Sequence, residues 1–331
     1  MKPRLNDLVS TSKVVSIPLR TKFRGITDRE LMVFEGPNGW SEWAAFTEYG
    51  DEEAATWLAA AIEWGFSSVP SPVRNQVPVN AILPAVSKDE IAKVLARAGK
   101  FSTVKIKVAD PKQSADEDLA RVLEVRNLYP EAKIRIDANG GFSVAQSLEL
   151  LEKLESNSVT LEFFEQPVAT IAELAELRIE IAKRGNLVKI AADESVRRSS
   201  DPLGVELAGA ADLLVLKSAP LGGIVNALGI AKETKLGICA SSAMQSSIGL
   251  AAELHFAACL PELSYDAGLG TGYLFGGDLV TDRLVPVDGV MEVRRPEINT
   301  SSLEILKAED HRYDWWIARL ERCCRILGLE S

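Results

Sequence analysis

The chain is poor in histidine: only His255 and His311 occur among 331 residues. That argues against a histidine-based metal centre and against Ser-His-Asp catalysis. Cysteine is scarce too. Cys239, Cys259, Cys323 and Cys324 show no C-x-x-C spacing, and the last two are adjacent. This is neither a disulfide framework nor a zinc site, and it suits a reducing, cytoplasmic location. No run of about 18 apolar residues is present, so no segment reads as membrane-spanning. Residues Met1 to Asn6 lack the apolar core of a signal peptide. An excess of positive charge is missing as well. The formal net charge of -10 argues against nucleic acid or an anionic membrane as partner. What is there, 47% hydrophobic and 25% charged residues, describes a soluble protein with a large core.

The order of elements is legible from periodicity. Residues 13 to 20 and 29 to 36 read as strands, and Trp40 to Trp43 as a third after the Pro37-Asn38-Gly39 turn. An apolar-periodic helix spans residues 52 to 65, and a passage with Pro70, Pro72 and Pro78 marks a boundary. From Val77 strands and helices alternate. Strands are expected at 77 to 82, 103 to 108, 133 to 137, 159 to 165, 187 to 193, 211 to 217, 236 to 240 and 263 to 266. Helices are expected between them, near 88 to 98, 115 to 128, 143 to 155, 170 to 184, 202 to 209, 222 to 234 and 246 to 259. That alternation predicts an α/β fold with a closed parallel barrel. An open dinucleotide-binding sheet would carry G-x-G-x-x-G after its first strand, and Ala81-Ile82-Leu83-Pro84 offers none. Beyond Gly272 the pattern is lost. Residues 276 to 297 read as short irregular strands, and Asp310 to Leu327 as an amphipathic helix returning to the N-terminal part or bracing the barrel wall.

Chemistry collects at the predicted strand ends. In Val104-Lys105-Ile106-Lys107-Val108 the period of two puts both lysines on one face. Later strands end in Asp137-Ala138-Asn139, Glu165-Gln166-Pro167, Asp193-Glu194-Ser195 and Lys217-Ser218. Lys107, Asp137, Glu165, Asp193 and Lys217 follow one another by 30, 28, 28 and 24 residues, about one βα unit each, which predicts corresponding heights on successive strands. Singly, each acid could be the N-cap of the next helix. Together, three carboxylates at one barrel mouth repel unless a cation lies between them, and hard oxygen ligands select Mg²⁺, with Mn²⁺ as a substitute.

The charges close. Asp137, Glu165, Asp193 and a substrate carboxylate carry four negative charges, balanced by a divalent ion and two lysinium groups. Such a site suits a substrate that becomes a dianion when a proton next to its carboxylate is removed. Lysines two apart on a strand stand about 6.6 Å apart along it, where like charges repel by roughly 2.5 kcal/mol at an effective dielectric near 20. One of them can therefore be neutral near pH 7 and act as base. Lys107, nearer the strand end, is the better candidate. Lys105 would tune it and help hold the substrate carboxylate.

Lys-Ile-Lys, Asp137-Ala-Asn139, Phe-Glu165-Gln-Pro, Ala-Asp193-Glu-Ser and Leu-Lys217, in this order, resemble the enolase superfamily, and within it the muconate-lactonizing subgroup. The resemblance implies a (β/α)7β TIM-like barrel over 77–271 and an α+β capping domain over 1–76 plus about 272–331. It implies Lys107 and Lys217 as opposed catalytic lysines with Lys105 beside them. It implies Asp137, Glu165 and Asp193 as magnesium ligands, with Asn139 supporting them. Substrate contacts are expected from Arg24 in the N-terminal loop and from Ser241 and Ser242, which resemble a serine-rich passage on strand seven of one branch of the subgroup. Ser246 reads as a helix cap. Where some relatives carry Asp-x-Asp, this chain has Gly268, Leu269 and Gly270, read as a turn with free N–H groups for an anion. Ser41-Glu42-Trp43 departs from the Gly-Glu of many relatives.

The activity so implied is metal-assisted syn dehydration of a succinyl-bearing hydroxycyclohexadiene carboxylate, a step of menaquinone synthesis. Racemisation of N-succinylamino acids by the same residues is the alternative. A catalytically silent barrel kept as a binding protein is a third reading, and all six residues are present against it. The expected partner is a small-molecule carboxylate; the oligomeric state is open.

Overall fold

A computed structural model of the protein describes residues 3–23, 25–198 and 201–329. Its first part is an antiparallel sheet of β1 (Lys13–Phe23), β2 (Ile26–Gly36) and β3 (Gly39–Trp43), covered by the helix Asp51–Phe66. The sheet and this helix meet closely at Gly36, where an added Cβ would stand 2.3 Å from the Gly65 carbonyl oxygen. No other residue fits that approach. The indole of Trp43 donates to the Ala54 carbonyl at 2.9 Å.

Eight parallel strands follow: β4 (Gln76–Leu83), β5 (Thr103–Lys107), β6 (Lys133–Asp137), β7 (Leu161–Glu165), β8 (Ile190–Ala192), β9 (Leu213–Leu216), β10 (Gly237–Ala240) and β11 (Ala267–Gly270). Each pairs with its neighbour from β4 to β10, and β11 pairs with β4. A single bridge from Ser241 to Gly268 joins β10 to β11 and nearly closes the barrel. β12 (Val290–Glu292) adds antiparallel to β4. The helices begin where the sequence writes capping boxes. Ser114 with Glu117, Ser143 with Gln146 and Thr170 with Glu173 each exchange side-chain and backbone bonds at a helix start.

The barrel floor is filled by side chains. Arg135 is fully buried on β6; it donates to Glu162 at 2.6 Å, to Asn80 at 2.8 Å and to the Asp266 carbonyl at 2.6 Å. Its guanidinium lies 4.6 Å from the Phe163 ring centroid. The last helix, Asp310–Ile326, turns back onto the N-terminal sheet. Trp316 meets Trp43 edge-on at 5.1 Å, and buried Arg319 donates to the carbonyls of Phe46 and Tyr49 at 3.0 and 2.7 Å. Among the described residues no helix is long and apolar enough to cross a membrane.

Two expectations change. The eighth barrel strand is Ala267–Gly270, four residues later than the expected 263–266, and so Gly268, Leu269 and Gly270 are not a turn. Glycine here serves close packing. A Cβ on Gly268 would stand 2.5 Å from the Ser241 hydroxyl, and one on Gly270 2.3 Å from the Asn80 carbonyl oxygen. Two short helices, Leu5–Thr11 and Thr300–Ile305, are also present where none was expected.

Candidate active site

The barrel mouth is built from strand ends. On β5, Val104 and Ile106 are fully buried, and Lys105 and Lys107 take the alternate positions. Lys107 is in register with Asp137, and Asp137 with Glu165, so these three share one level. Glu165 is in register with Ala191 rather than Asp193, so the carboxylate after β8 lies two residues further along its strand. Equal sequence spacing therefore does not mean equal height throughout: the chain length of a βα unit does not set the strand stagger. Lys217 directly follows β9. In the strand order β5 and β9 are four apart out of eight, so Lys107 and Lys217 face each other from opposite walls.

Each lysine meets a carboxylate. Lys105 Nζ donates to both oxygens of Glu165, at 3.0 and 2.8 Å, and Lys217 Nζ to Asp193 Oδ2 at 2.5 Å. Lys107 Nζ bonds Asp137 Oδ2 and donates to Asn139 Oδ1 at 2.7 Å. Asn139, at a positive φ of 48°, also gives its backbone N–H to Asp137 Oδ1 at 3.0 Å. Its side chain thus holds Lys107 while its backbone holds Asp137. The Phe23 ring reaches over from β1, with its centroid 5.4 Å from Lys107 Nζ.

These environments separate the two neighbouring lysines. Burial lowers the proton affinity of Lys107, and Lys105 lowers it further, against the pull of Asp137. Burial works on Lys105 in the same direction, but Glu165 and Asp137 outweigh it and hold Lys105 above the ordinary lysine range. Glu165 is pushed up to about 7 by burial and by the Asp137 charge beside it. For Asp193 burial opposes ionisation, but Lys217 and Arg197 prevail and keep it below the usual range.

A divalent ion suits the donor set. Asp137, Glu165 and Asp193 are each 1% exposed, on adjacent strand ends. Asp193 Oδ1 is buried and accepts no hydrogen bond; Arg197 Nε stands 3.5 Å from it without bonding, which leaves the oxygen open to a divalent ion. As the side chains stand, no three acidic, histidine or cysteine groups among the described residues form a ready cage, because the lysines occupy the carboxylates.

Other expected residues fall as follows. Ser241, Ser242 and Gly268 line the mouth, and both hydroxyls donate to the Gly268 carbonyl at 3.2 Å, tying β10 to β11. Gly270 and Leu269 are strand residues away from the cavity lining. Arg24 lies outside the described residues. Ser246 is the N-cap of the helix Ser247–Cys259. From the mouth, a cleft of about 480 Å³ opens past Lys107 and Asn139 toward Lys22, Phe23 and Lys112.

Three contributors escaped the sequence reading. Gln166, at a φ of 36°, accepts the N–H groups of Asp193 and Ser195 at 3.0 and 3.1 Å and so holds the turn after β8. Arg197 reaches Asp193 at 3.5 Å and Glu194 at 3.0 Å. Glu194 in turn accepts from Asn139 at 3.3 Å. The i, i+3 and i, i+4 spacing of Asp193, Glu194 and Arg197 was the available signal.

Known proteins share this architecture. Residues 87–297 match the model of the enolase C-terminal domain-like family, and residues 14–65 that of the enolase N-terminal domain-like family. The chain is 46% identical over 325 residues to an o-succinylbenzoate synthase of Mycobacterium tuberculosis (strain H37Rv), covering 98% of this chain and 97% of the relative. It is 46% identical, with 98% of both chains covered, to the protein of the same name from Mycolicibacterium smegmatis. Among solved structures, muconate lactonizing enzyme from Pseudomonas fluorescens superposes with a TM-score of 0.73 at 19% identity, covering 90% of this chain and 98% of that one. N-succinyl Arg/Lys racemase from Bacillus cereus gives 0.72 at 19%, covering 90% and 97%. At that identity the structures speak to the fold alone. The chain belongs to the enolase superfamily, and within it to the o-succinylbenzoate synthases.

Proposed function

We infer that this protein dehydrates 2-succinyl-6-hydroxy-2,4-cyclohexadiene-1-carboxylate to o-succinylbenzoate, a step of menaquinone synthesis, in the cytoplasm. The observation that carries the reading is the opposition of Lys107 and Lys217 across a mouth lined by buried carboxylates. Lys107 Nζ, its proton affinity depressed by burial, takes the proton alpha to the ring carboxylate. Lys217 places positive charge against the enediolate that forms, and Lys105 holds the substrate carboxylate. Lys107, now protonated, gives its proton to the departing hydroxyl, so C–H and C–O bonds break on one face and water leaves. Asn139 keeps Lys107 aimed during both transfers.

Members of the superfamily depend on a metal, typically Mg²⁺. Asp137, Glu165 and Asp193 would hold it here, Mn²⁺ serving as substitute. When bound it supplies Lewis-acid stabilisation of carboxylate charge, of the order of several kcal/mol. The test follows ultraviolet absorbance as water is lost from the cyclohexadiene substrate. Turnover is expected with added Mg²⁺ and its loss on chelation; no turnover with either Mg²⁺ or Mn²⁺ would sink the assignment.

The same opposed lysines favour a second reading, racemisation of N-succinylamino acids. Deuterium entering the alpha carbon from both enantiomers in heavy water would reveal it, and absence of exchange from either would exclude it.

A further inference from the structure

One buried carboxylate has no part in this chemistry. Glu253 lies mid-helix in Ser247–Cys259, among Leu250, Leu254 and Phe256, and is fully buried. Sequestering a carboxylate in such surroundings is costly unless its oxygens are bonded. Both are. Oε2 accepts the Ser218 N–H at 2.7 Å, and Oε1 the Ala219 N–H at 3.0 Å. No ion pair involves Glu253 among the described residues. Its bonded partners are the two residues that directly follow Lys217.

That location matters because β9 ends at Leu216, so Lys217 and the residues after it have no strand ladder to direct them. Downstream the chain turns through Gly222 and Gly223, at φ of 83° and 132°. Among the described residues two local backbone bonds tie this turn, Gly223 N–H to the Ser218 carbonyl at 2.9 Å and Gly222 N–H to the Ala219 carbonyl at 3.3 Å. Glu253 links the turn to a long helix of the barrel wall. We propose that Glu253 is a positioning residue for Lys217: its paired backbone bonds set the direction in which the Lys217 side chain leaves the strand end and enters the mouth. The proposal rests on the reading that Lys217 stabilises the developing charge, where a misplacement near 1 Å can cost about 100-fold in rate.

The test makes Glu253→Gln in the wild-type and in the Lys217→Ala background, with steady-state dehydration kinetics and thermal unfolding of all four proteins. In the wild-type background kcat is expected to fall about 10-fold or more with KM within about twofold. In the Lys217→Ala background the same substitution should change the residual kcat by less than about twofold, since no Nζ remains to be misplaced. The loss of Tm should be equal in the two backgrounds. An equal fall of kcat in both backgrounds, or no fall in the first, overturns the proposal. A crystal structure of Glu253→Gln gives a readout independent of activity: the Lys217 Nζ–Asp193 Oδ2 contact, 2.5 Å here, should lengthen, and an unchanged contact counts against the role. If the wild type shows no dehydration, the assigned reaction fails while this contact still decides the positioning. Should Glu253→Gln not fold, Glu253→Asp keeps the charge, withdraws it by one methylene, and is read in the same way.

Discussion

Lys107 and Lys217 differ in what each is asked to do, and single substitutions separate the roles. In the proposed reaction Lys107 carries the proton both ways, so Lys107→Ala should lower kcat by roughly 10²–10⁴-fold. Calorimetric Mg²⁺ binding should persist, because the proposed ligands Asp137, Glu165 and Asp193 remain. The proposed reaction asks Lys217 only for charge. Lys217→Arg keeps a cation at the strand end, with an imperfect planar fit, and should retain more dehydration than Lys217→Ala. Any racemase activity should vanish in Lys217→Arg, since arginine stays protonated and cannot exchange the proton. Equal dehydration by the Arg and Ala variants in steady-state assays would contradict the electrostatic role.

At the scale of elements, the barrel helices are started by local chemistry and the site depends on where they start. Ser143 accepts the Gln146 N–H at 3.2 Å while Gln146 returns a bond to Ser143. This box opens the helix that follows the Asp137-Ala138-Asn139 strand end. Ser143→Ala should cost about 1 kcal/mol of stability, read as a lower urea midpoint at unchanged m-value, with kcat little altered because Asn139 and Asp137 keep their own bonds. The helix Ser247–Cys259 is held differently. Its first turn meets side chains from distant parts of the chain: Glu42 of β3 accepts the Ser246 and Gly249 N–H groups, and Asp278 accepts the Ser247 N–H at 3.1 Å. The unusual Ser41-Glu42-Trp43 stretch is thus an anchor between the N-terminal sheet and the barrel.

That anchor gives the whole molecule a pH dependence. Burial pushes Glu42 up to about 8, against the opposing hydrogen bond from Ser246 and the charge of Arg29. The folded protein then binds this proton more tightly than the unfolded chain, whose glutamate titrates near its ordinary value of about 4.3. The stability Glu42 contributes is full below that value and is lost as pH rises through about 8. Urea unfolding at pH 5 and pH 9 should show the wild type losing a few kcal/mol relative to Glu42→Gln, whose side chain does not titrate. A wild-type-minus-variant difference that is flat with pH would refute it. The C-terminal helix completes the same assembly, since Trp316 and Arg319 pack on the segment from Trp43 to Tyr49. Arg319→Ala should therefore unfold the N-terminal sheet at lower temperature than the wild type, seen as a fall in Tm, because the Phe46 and Tyr49 carbonyls would lose the bonds that the buried Arg319 guanidinium donates.

Periodicity and local chemistry determined a good deal. Alternation by two placed Lys105 and Lys107 on one side of β5, and apolar periodicity placed the barrel helices close to where they stand, because both depend on neighbours a few residues away. The order of strand ends carrying Asp137, Glu165, Asp193 and Lys217 was legible for the same reason. What depends on distant residues was not. The glycines of β11 look like a turn in sequence, and only the approach of Ser241 and Asn80 explains why a strand needs them. The stagger that sets Asp193 beyond the level of Glu165 comes from strand pairing, which no spacing records. Glu253 reads as an ordinary helix glutamate until the fold brings it beneath the Ser218 and Ala219 amides, because a carboxylate's role is decided by which N–H groups surround it once water is gone.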